Sequence, residues 1–390
     1  MRASPHPIPL LDHGFRPFFL LAGLWAPLAI GIWIIALATG TNLPTTLPLI
    51  AWHPHELIFG YGGAAVAGFL LTAIPNWTGR LPLRGGRLLA LAALWLAARL
   101  AGLGGIDVPV VAVALDVGFW IALAMAAARE VVAGRNWRNL PVVALIATLG
   151  LSCLLSQSEA LGFHSGPAGR RLGLATLVVL IGLIGGRVVP SFTRNWLVRQ
   201  KSKALPAPSD RLDKAAMAVL VPAVLAWVVW PELWATGLLL ALAGAATLLR
   251  LSRWRGLATF GEPLVSVLHA GFGWLGLGLL LHGLGTLMPD SVGRLATLHA
   301  LTTGAVGTMT LAIMTRATLG HTGHALAADR CTLSAYVLVQ AGAALRVVAP
   351  VLPMPYTTVL AVAATLWASA FALFLWRYAP FLVAQKPGPG

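Results

Sequence analysis

Twelve long apolar stretches recur along this chain of 390 residues, and they constrain its fold more than any other feature. They cover roughly residues 18–39, 55–74, 88–104, 108–128, 140–158, 172–190, 214–230, 234–250, 263–284, 293–315, 332–349 and 356–376. A helix needs about 20 apolar residues to cross the ~30 Å hydrocarbon core of a bilayer. Backbone groups in lipid must be satisfied within their own segment, so each stretch is predicted to be a helix. The sequence therefore predicts an all-α, polytopic integral membrane protein with about 12 transmembrane helices, in which 1–390 is a single integral membrane domain.

The distribution of charge predicts the orientation of these helices. Only 10% of the residues are charged, whereas soluble domains average about 25%. The 27 Lys and Arg residues fall on one side of the predicted bundle, except Arg99, Arg170, Arg171, Arg294 and Arg346. The positive-inside rule then places both termini of this multi-pass protein in the cytoplasm. The net charge of +15 is thus explained by topology and by contact with the lipid bilayer, and it does not indicate nucleic acid. The densest basic part, a cytoplasmic loop at about 191–213, separates two six-helix halves.

The second, sixth and tenth predicted helices share a sequence pattern. Alignment of His55 with His299 brings further pairs into register: Gly60 with Gly304, Gly63 with Gly307, Thr78 with Thr322, and Gly79 with Gly323. The sixth helix ends in a similar way, with Pro190 on Pro75 and Thr193 on Thr78. This spacing predicts three pseudo-repeated four-helix units, and internal repeats of this kind are common in membrane proteins.

Histidine and glutamate mark the outer mouth of the second helix as a candidate metal site. His53, His55 and Glu56 lie there, and Pro54 suits the first turn of a helix. Two imidazoles at this spacing can bind one ion or two neighbouring ions, while Glu56 supplies an oxygen ligand or an acceptor for a ligand's ring N–H. The alternative is a polar helix start at the membrane interface.

His299 and His269 lie deeper in the predicted bundle. His299 lies about six residues inside the tenth helix, which is ~9 Å below its outer edge. An ionisable residue at such depth indicates a functional site, and imidazole is the commonest side-chain metal ligand. We therefore predict that both bind a metal or cofactor, the alternative being a hydrogen bond to a neighbouring helix. His269 is in the inner part of the ninth helix, so it is predicted to form a separate inner site with His321. The alternative for His321 is that it is exposed to solvent and binds no ligand.

Two arginines and one aspartate complete the set of candidate residues. Arg187 and Arg316 lie near membrane depth, where an arginine can bind a haem propionate. Their alternative is to extend toward lipid headgroups. Asp116 in the fourth helix serves either a proton relay or an ion pair with another helix.

Stretches spread over nearly the whole chain resemble a known family. They have the sequences GFRPFF at 14–19, WHPHE at 52–56 with PNWTG at 75–79, GGRVVPSFTRN at 185–195, EP at 262–263 with His269, and HALT at 299–302 with MTR at 314–316 and HTG at 321–323. Together they resemble the NnrS family of bacterial inner-membrane proteins. Pro54 stands where the family pattern has Ala, and His13 is not part of the pattern. The resemblance implies a twelve-span protein that contains haem and copper and is associated with resistance to nitric oxide, without assigning a reaction or dividing the histidines between the metals.

Two features of the sequence narrow the cofactor assignment: the absence of a motif for covalent haem attachment, and the alignment of His55 with His299. The sequence contains no C-x-x-C-H, so haem would be bound non-covalently, as heme b. His55 and His299 are predicted to be its axial ligands near the outer leaflet, because they occupy equivalent positions in the proposed repeat. Gly60, Gly63, Gly304 and Gly307 would leave room for the flat macrocycle, while His53 and Glu56 would be free for copper.

Three classes of function fit these features. The first is a haem/copper redox protein that binds or detoxifies nitric oxide or relieves nitrosative damage, as an oxidoreductase with an unknown electron donor. The alternative is a transporter of copper, haem or an iron–nitrosyl species, since repeats and intramembrane polar residues also suit transport. A redox sensor without turnover is the third. The sequence identifies no catalytic residue.

Overall fold

The computed structural model describes residues 7–106, 108–290 and 293–385, and within them it confirms the all-α class and the number of spans. Twelve helices are long and apolar enough to cross a membrane: α1 Phe15–Thr39, α2 Leu49–Thr78, α3 Gly86–Gly105, α4 Pro109–Ala133, α5 Trp137–Leu161, α6 Gly166–Arg199, α7 Arg211–Val229, α8 Trp234–Ser252, α9 Pro263–Leu287, α10 Arg294–Thr322, α11 Arg330–Val351 and α12 Tyr356–Val383. Arg2 and Lys386, which were counted in the cytoplasmic set of charges, lie outside the described residues.

Helix α2 begins earlier than the sequence predicts. Because it starts at Leu49, Pro54 lies inside the helix and not in its first turn, and that part of the prediction is wrong. Proline lacks an N–H, and its ring crowds the carbonyl one turn earlier. The backbone directly after His55 is π-helical over Glu56–Tyr61, which accommodates this local disturbance. Such segments often occur at functional sites.

Helix α10 repeats the construction of α2. His299 directly precedes the π-helical segment Ala300–Val306, as His55 precedes Glu56–Tyr61. Both helices also end in the same way, with a threonine and then a glycine of positive φ, at Thr78–Gly79 and Thr322–Gly323. Glycine is the usual residue for this left-handed position after a helix. The alignment of the second and tenth helices therefore has a structural counterpart.

Helix α6 resembles the other two less closely. It also contains a π-helical segment, Ile181–Gly185, but this segment lies much nearer to Pro190 than Glu56–Tyr61 lies to Pro75. The helix continues to Arg199, so the non-helical part of the predicted loop is shorter than 191–213. The third copy of the repeat stays a prediction.

The chain divides into two compact units. The first comprises Met1–Thr176, Arg316–Ala325 and Phe374–Gly390, and the second comprises Leu177–Thr315 and Leu326–Leu373. In the first unit, aromatic side chains fill the space between α1 and α2: a Cβ added at Gly68 would lie 2.6 Å from the Phe19 ring. In the second unit, small residues let α8 and α9 approach closely, and a Cβ at Gly276 would lie 2.7 Å from Leu248.

Candidate metal centre

A cluster of polar side chains lies in the interior of the first unit. Its members are His55 and Glu56 from α2, Arg99 from α3, Asp116 from α4, and Cys153, Ser156 and Gln157 from α5. None of these residues is more than 2% exposed. Ser156 and Gln157 lie three and four positions after Cys153, which places all three on one face of that helix. Four helices, each mostly apolar, thus direct polar groups to one buried site.

His55 has a polar partner at each ring nitrogen. Its Nε2 lies 2.7 Å from Oδ2 of Asp116, and its Nδ1 lies 2.9 Å from Oγ of Ser156. Because a carboxylate only accepts hydrogen bonds, Nε2 carries the hydrogen and donates. Gln157 donates from Nε2 to the same Asp116 oxygen over 2.9 Å. Asp116 therefore fixes the orientation and the tautomer of the imidazole.

Arg99 joins the two carboxylates of the cluster. Its Nη1 donates to Oε2 of Glu56 over 2.7 Å, and its Nη2 donates to Oδ1 of Asp116. Trp25 donates from its indole nitrogen to the same oxygen of Glu56 over 2.8 Å. Of the two alternatives for Asp116, an ion pair with another helix is confirmed. Glu56 is directed to Arg99 and Trp25, and its predicted role as a metal ligand, or as an acceptor for a ligand's ring N–H, stays a prediction.

The charges of the cluster do not balance when His55 is neutral. Two carboxylates, Glu56 and Asp116, then face one guanidinium, that of Arg99. A buried charge is costly unless it is paired, and more so inside a membrane. One further positive charge completes the balance, and either a proton on His55 or a bound cation can supply it.

The donor set fits a transition-metal ion. A ring nitrogen of His55, a carboxylate oxygen of Asp116 and Sγ of Cys153 all lie within 4.8 Å of one another. Imidazole and thiolate are the ligands that suit copper, with thiolate favouring Cu(I). The Oε1 atom of Gln157 is buried and has no hydrogen-bond partner in the described structure, so an acceptor in the same cluster is also available. Copper is therefore compatible with this site.

The space beside the repeat glycines does not fit a haem. A Cβ at Gly60 would lie 2.7 Å from Nε1 of Trp25, and one at Gly63 would lie 2.9 Å from the Trp120 ring. In the second unit, Trp274 and Trp367 pack in the same manner on Gly304 and Gly307. The prediction that these glycines leave room for a flat macrocycle is wrong, because glycine here permits close contact with an indole ring.

Two histidines of the second unit each present a ring nitrogen for a ligand. In His299, Nδ1 donates to the carbonyl of Leu295 over 2.7 Å, so in the neutral ring Nε2 carries the lone pair. In His269, Nε2 lies 2.7 Å from Oγ1 of Thr193, whose hydroxyl is 2.8 Å from the carbonyl of Val189. If the hydroxyl donates to that carbonyl, it accepts from His269. Nδ1 of His269 then holds a lone pair, and it has no hydrogen-bond partner among the described residues.

The remaining candidate residues lie apart from the cluster or at the surface. The ring of His53 is half-buried and stacks on Trp33, with centroids 4.2 Å apart. His321 is exposed and its ring lies 5.5 Å from that of Phe15. Arg187 is exposed, whereas Arg316 is buried. Roles for His53 and His321 in metal binding, and for both arginines toward a propionate, stay predictions.

Sequence analysis did not identify Arg99, Cys153, Ser156 or Gln157 as site residues. Arg99 was counted only as a charge. A signal for these residues was present in the sequence. Arg99 lies within an apolar stretch, and SCLLSQ at 152–157 places several polar groups at helical spacing within another. Polar residues on one face of a spanning helix indicate a partner in the protein interior.

The comparisons with known proteins agree with the resemblance seen in the sequence. A search of curated proteins found no match. The family model described as NnrS protein matches residues 9–386, which is nearly the whole chain. This chain therefore belongs to the NnrS family.

Proposed function

We propose that this protein is a copper-containing redox protein of the bacterial inner membrane, and that it binds or removes nitric oxide or relieves nitrosative damage. The observation that carries the proposal is the convergence of imidazole, carboxylate and thiol donors at His55, Asp116 and Cys153. Membership of the NnrS family supports the link with nitric oxide. Nitric oxide is small and apolar, so it can reach a site within the bilayer from the lipid.

The residues of the cluster have distinct roles in this proposal. Asp116 holds the His55 ring in place, and Arg99 in turn fixes the carboxylates of Asp116 and Glu56. An ion shared with Asp116 and Cys153 would face Nε2 of His55 and replace its hydrogen, while Ser156 keeps its contact with Nδ1. A bound copper ion would supply one-electron chemistry. Because the Cys153 thiol would lose its proton on binding, Cu(I) would leave the charge of the cluster unchanged, whereas Cu(II) would add the one positive charge that the cluster lacks.

Haem, which the resemblance also implies, is assigned to other residues in this proposal. We assign His55 to the metal ion because its ring lies among Asp116, Ser156 and Cys153. His299 and His269 are the candidates for haem ligation, since in each ring one nitrogen is fixed by a hydrogen bond and the other is left for a ligand. The predicted axial pair of His55 and His299 is thus replaced by a division of the two histidines between cofactors.

Metal analysis combined with nitric oxide consumption tests the proposal. Purified protein in lipid nanodiscs is expected to bind one copper per chain and, when supplied with an artificial electron donor, to consume nitric oxide at an electrode. Cys153→Ser and His55→Ala should lose copper and activity together. Cys331→Ser is the matched control, because this second thiol lies near the carbonyl of Leu373 and not in the cluster.

Two results would contradict the proposal. Full copper content in both Cys153→Ser and His55→Ala would remove the proposed centre. Copper flux into proteoliposomes, without any consumption of nitric oxide by the same preparation, would favour a transporter.

A further inference from the structure

The two copies of the internal repeat each contain a buried arginine, and they differ in the charges that surround it. Their framework is alike: Trp25 and Trp120 pack on Gly60 and Gly63, and Trp274 and Trp367 pack on the aligned Gly304 and Gly307. These contacts align α1 with α9 and α4 with α12, just as His55 and His299 align α2 with α10. The remaining pair is α3 and α11, which carry Arg99 and Arg346.

Arg99 has two carboxylate partners, and the aligned positions in the second copy are alanines. Glu56 follows His55 directly, whereas Ala300 follows His299. Asp116 lies one helical turn before Trp120, whereas Ala363 lies one turn before Trp367. Ala363 is 2% exposed, so this position faces the interior of its unit.

Arg346 is consequently a buried cation without a carboxylate partner among the described residues. The residue is only 6% exposed, so it does not extend into the headgroup region. Its Nη1 atom is buried and lacks a hydrogen-bond partner in the part of the chain that the structure describes. Its guanidinium lies 5.8 Å from the ring centroid of Tyr356 and donates a hydrogen bond to the hydroxyl of that residue, a neutral partner that leaves the positive charge uncompensated.

We propose that Arg346 forms a binding site for a small planar oxyanion, of the nitrite, nitrate or formate type, in the second unit. The planar guanidinium fork matches two oxygens of such an ion, which would take the place that Asp116 occupies beside Arg99. Arg346 lies near the end of α11, and Tyr356, which is 41% exposed, begins α12, so the proposed site lies at the ends of its two helices. This inference rests on the repeat and on burial and does not depend on the metal centre. It is an alternative to haem ligation by His299, because in the first unit Asp116 faces both Arg99 and the aligned His55.

Formate is a suitable probe because it is planar and does not absorb in the near ultraviolet. The thermal midpoint of the protein in nanodiscs would be measured against formate concentration, with chloride keeping the ionic strength constant. A ligand that binds only the folded state raises the midpoint in a saturable manner. We expect saturable stabilisation of the wild type and at least a tenfold weaker apparent affinity in Arg346→Gln. Arg346→Lys, which keeps the charge but not the fork, should bind several-fold more weakly than the wild type.

Ala363→Asp gives the sharper test, because it copies the carboxylate of the first unit into the second. This variant should gain thermal stability without formate and lose the response to formate. Arg170→Gln is the matched control: it removes a cation that is already paired with Glu159 at 2.7 Å, and it should respond like the wild type. The proposal is overturned if the wild type shows no saturable response, or if Arg346→Gln responds equally. Failure of Ala363→Asp to fold would also overturn it, since the carboxylate would then not face Arg346.

Discussion

Replacing Arg99 with methionine removes the only guanidinium from the buried cluster while keeping most of the side-chain volume. Glu56 and Asp116 then remain in the interior without their cation. Removing one partner of a buried ion pair typically costs about 3–5 kcal/mol, most of which reflects the uncompensated charge that is left behind. We expect Arg99→Met to lower the free energy of unfolding by an amount in this range.

The same reasoning predicts that removing all three charges of this group destabilises the protein less than removing Arg99 alone. The triple variant Glu56→Gln, Arg99→Met and Asp116→Asn has no buried charge to compensate in this group. It should regain about half or more of the lost stability, because replacing a complete buried ion pair is often close to neutral. Arg170→Met is the control: its pair with Glu159 is partly exposed, with side chains 16% and 29% accessible, so its loss should cost about 0–1 kcal/mol.

Reversible unfolding in mixed micelles, followed by circular dichroism as the fraction of dodecyl sulfate rises, measures these free energies. The three variants and the wild type would be compared under one set of conditions. A triple variant that is as unstable as Arg99→Met would refute the argument from charge, and would show that packing around Arg99 accounts for the loss. A loss from Arg170→Met equal to that from Arg99→Met would refute the role of burial.

Three further predictions concern other parts of the molecule. Gly60→Ala and Gly304→Ala should each lower stability by about 1–3 kcal/mol, because a Cβ would lie 2.7 Å from Trp25 and 2.6 Å from Trp274. Gly31→Ala, whose Cβ would meet nothing within 4 Å, should not lower the thermal midpoint, since alanine is the better helix former. Asp210 lies outside the spans, and its hydrogen bond from Arg253 lowers the pKa of this carboxyl to about 2. This folded-state pKa is below the unfolded value of about 4. The ionised carboxylate therefore stabilises the protein fully above pH ~4, and this stabilisation is lost as the pH falls toward 2. Asp210→Asn should remove this part of the pH profile of stability. A reporter that is active only in the periplasm should be inactive when fused to the C-terminus, and an active fusion would contradict the predicted orientation.

The sequence was sufficient for the helical architecture because lipid imposes a simple rule. A long apolar stretch must be a helix in the bilayer, and the twelve predicted spans correspond one to one with the twelve helices of the structure. The ends of the helices were harder to predict, as α2 and α6 show. Proline and basic residues usually mark helix ends, yet Pro54 and Arg194 lie inside helices here. The π-helical segment after His55 explains the first case.

The candidate centre could be predicted only in part, because its contacts join distant positions. Histidine in a span identified His55, but hydropathy does not tell which face of α5 points inward or which helix lies beside it. The partners of His55 are on α4 and α5, and only packing brings Asp116 and Ser156 to its two nitrogens. For the same reason the glycines were assigned to a cofactor, whereas the rings that fill their space come from Trp25 and Trp120.

X-ray absorption at the copper edge tests the central claim most directly. The chain has only two cysteines, so a thiolate ligand can be assigned by substituting each in turn. We predict that the copper-loaded protein shows one sulfur scatterer together with nitrogen or oxygen scatterers. The sulfur signal should persist in Cys331→Ser and disappear in Cys153→Ser. A copper spectrum without sulfur, or a sulfur signal that survives in Cys153→Ser, would contradict the assignment of the metal to His55, Asp116 and Cys153.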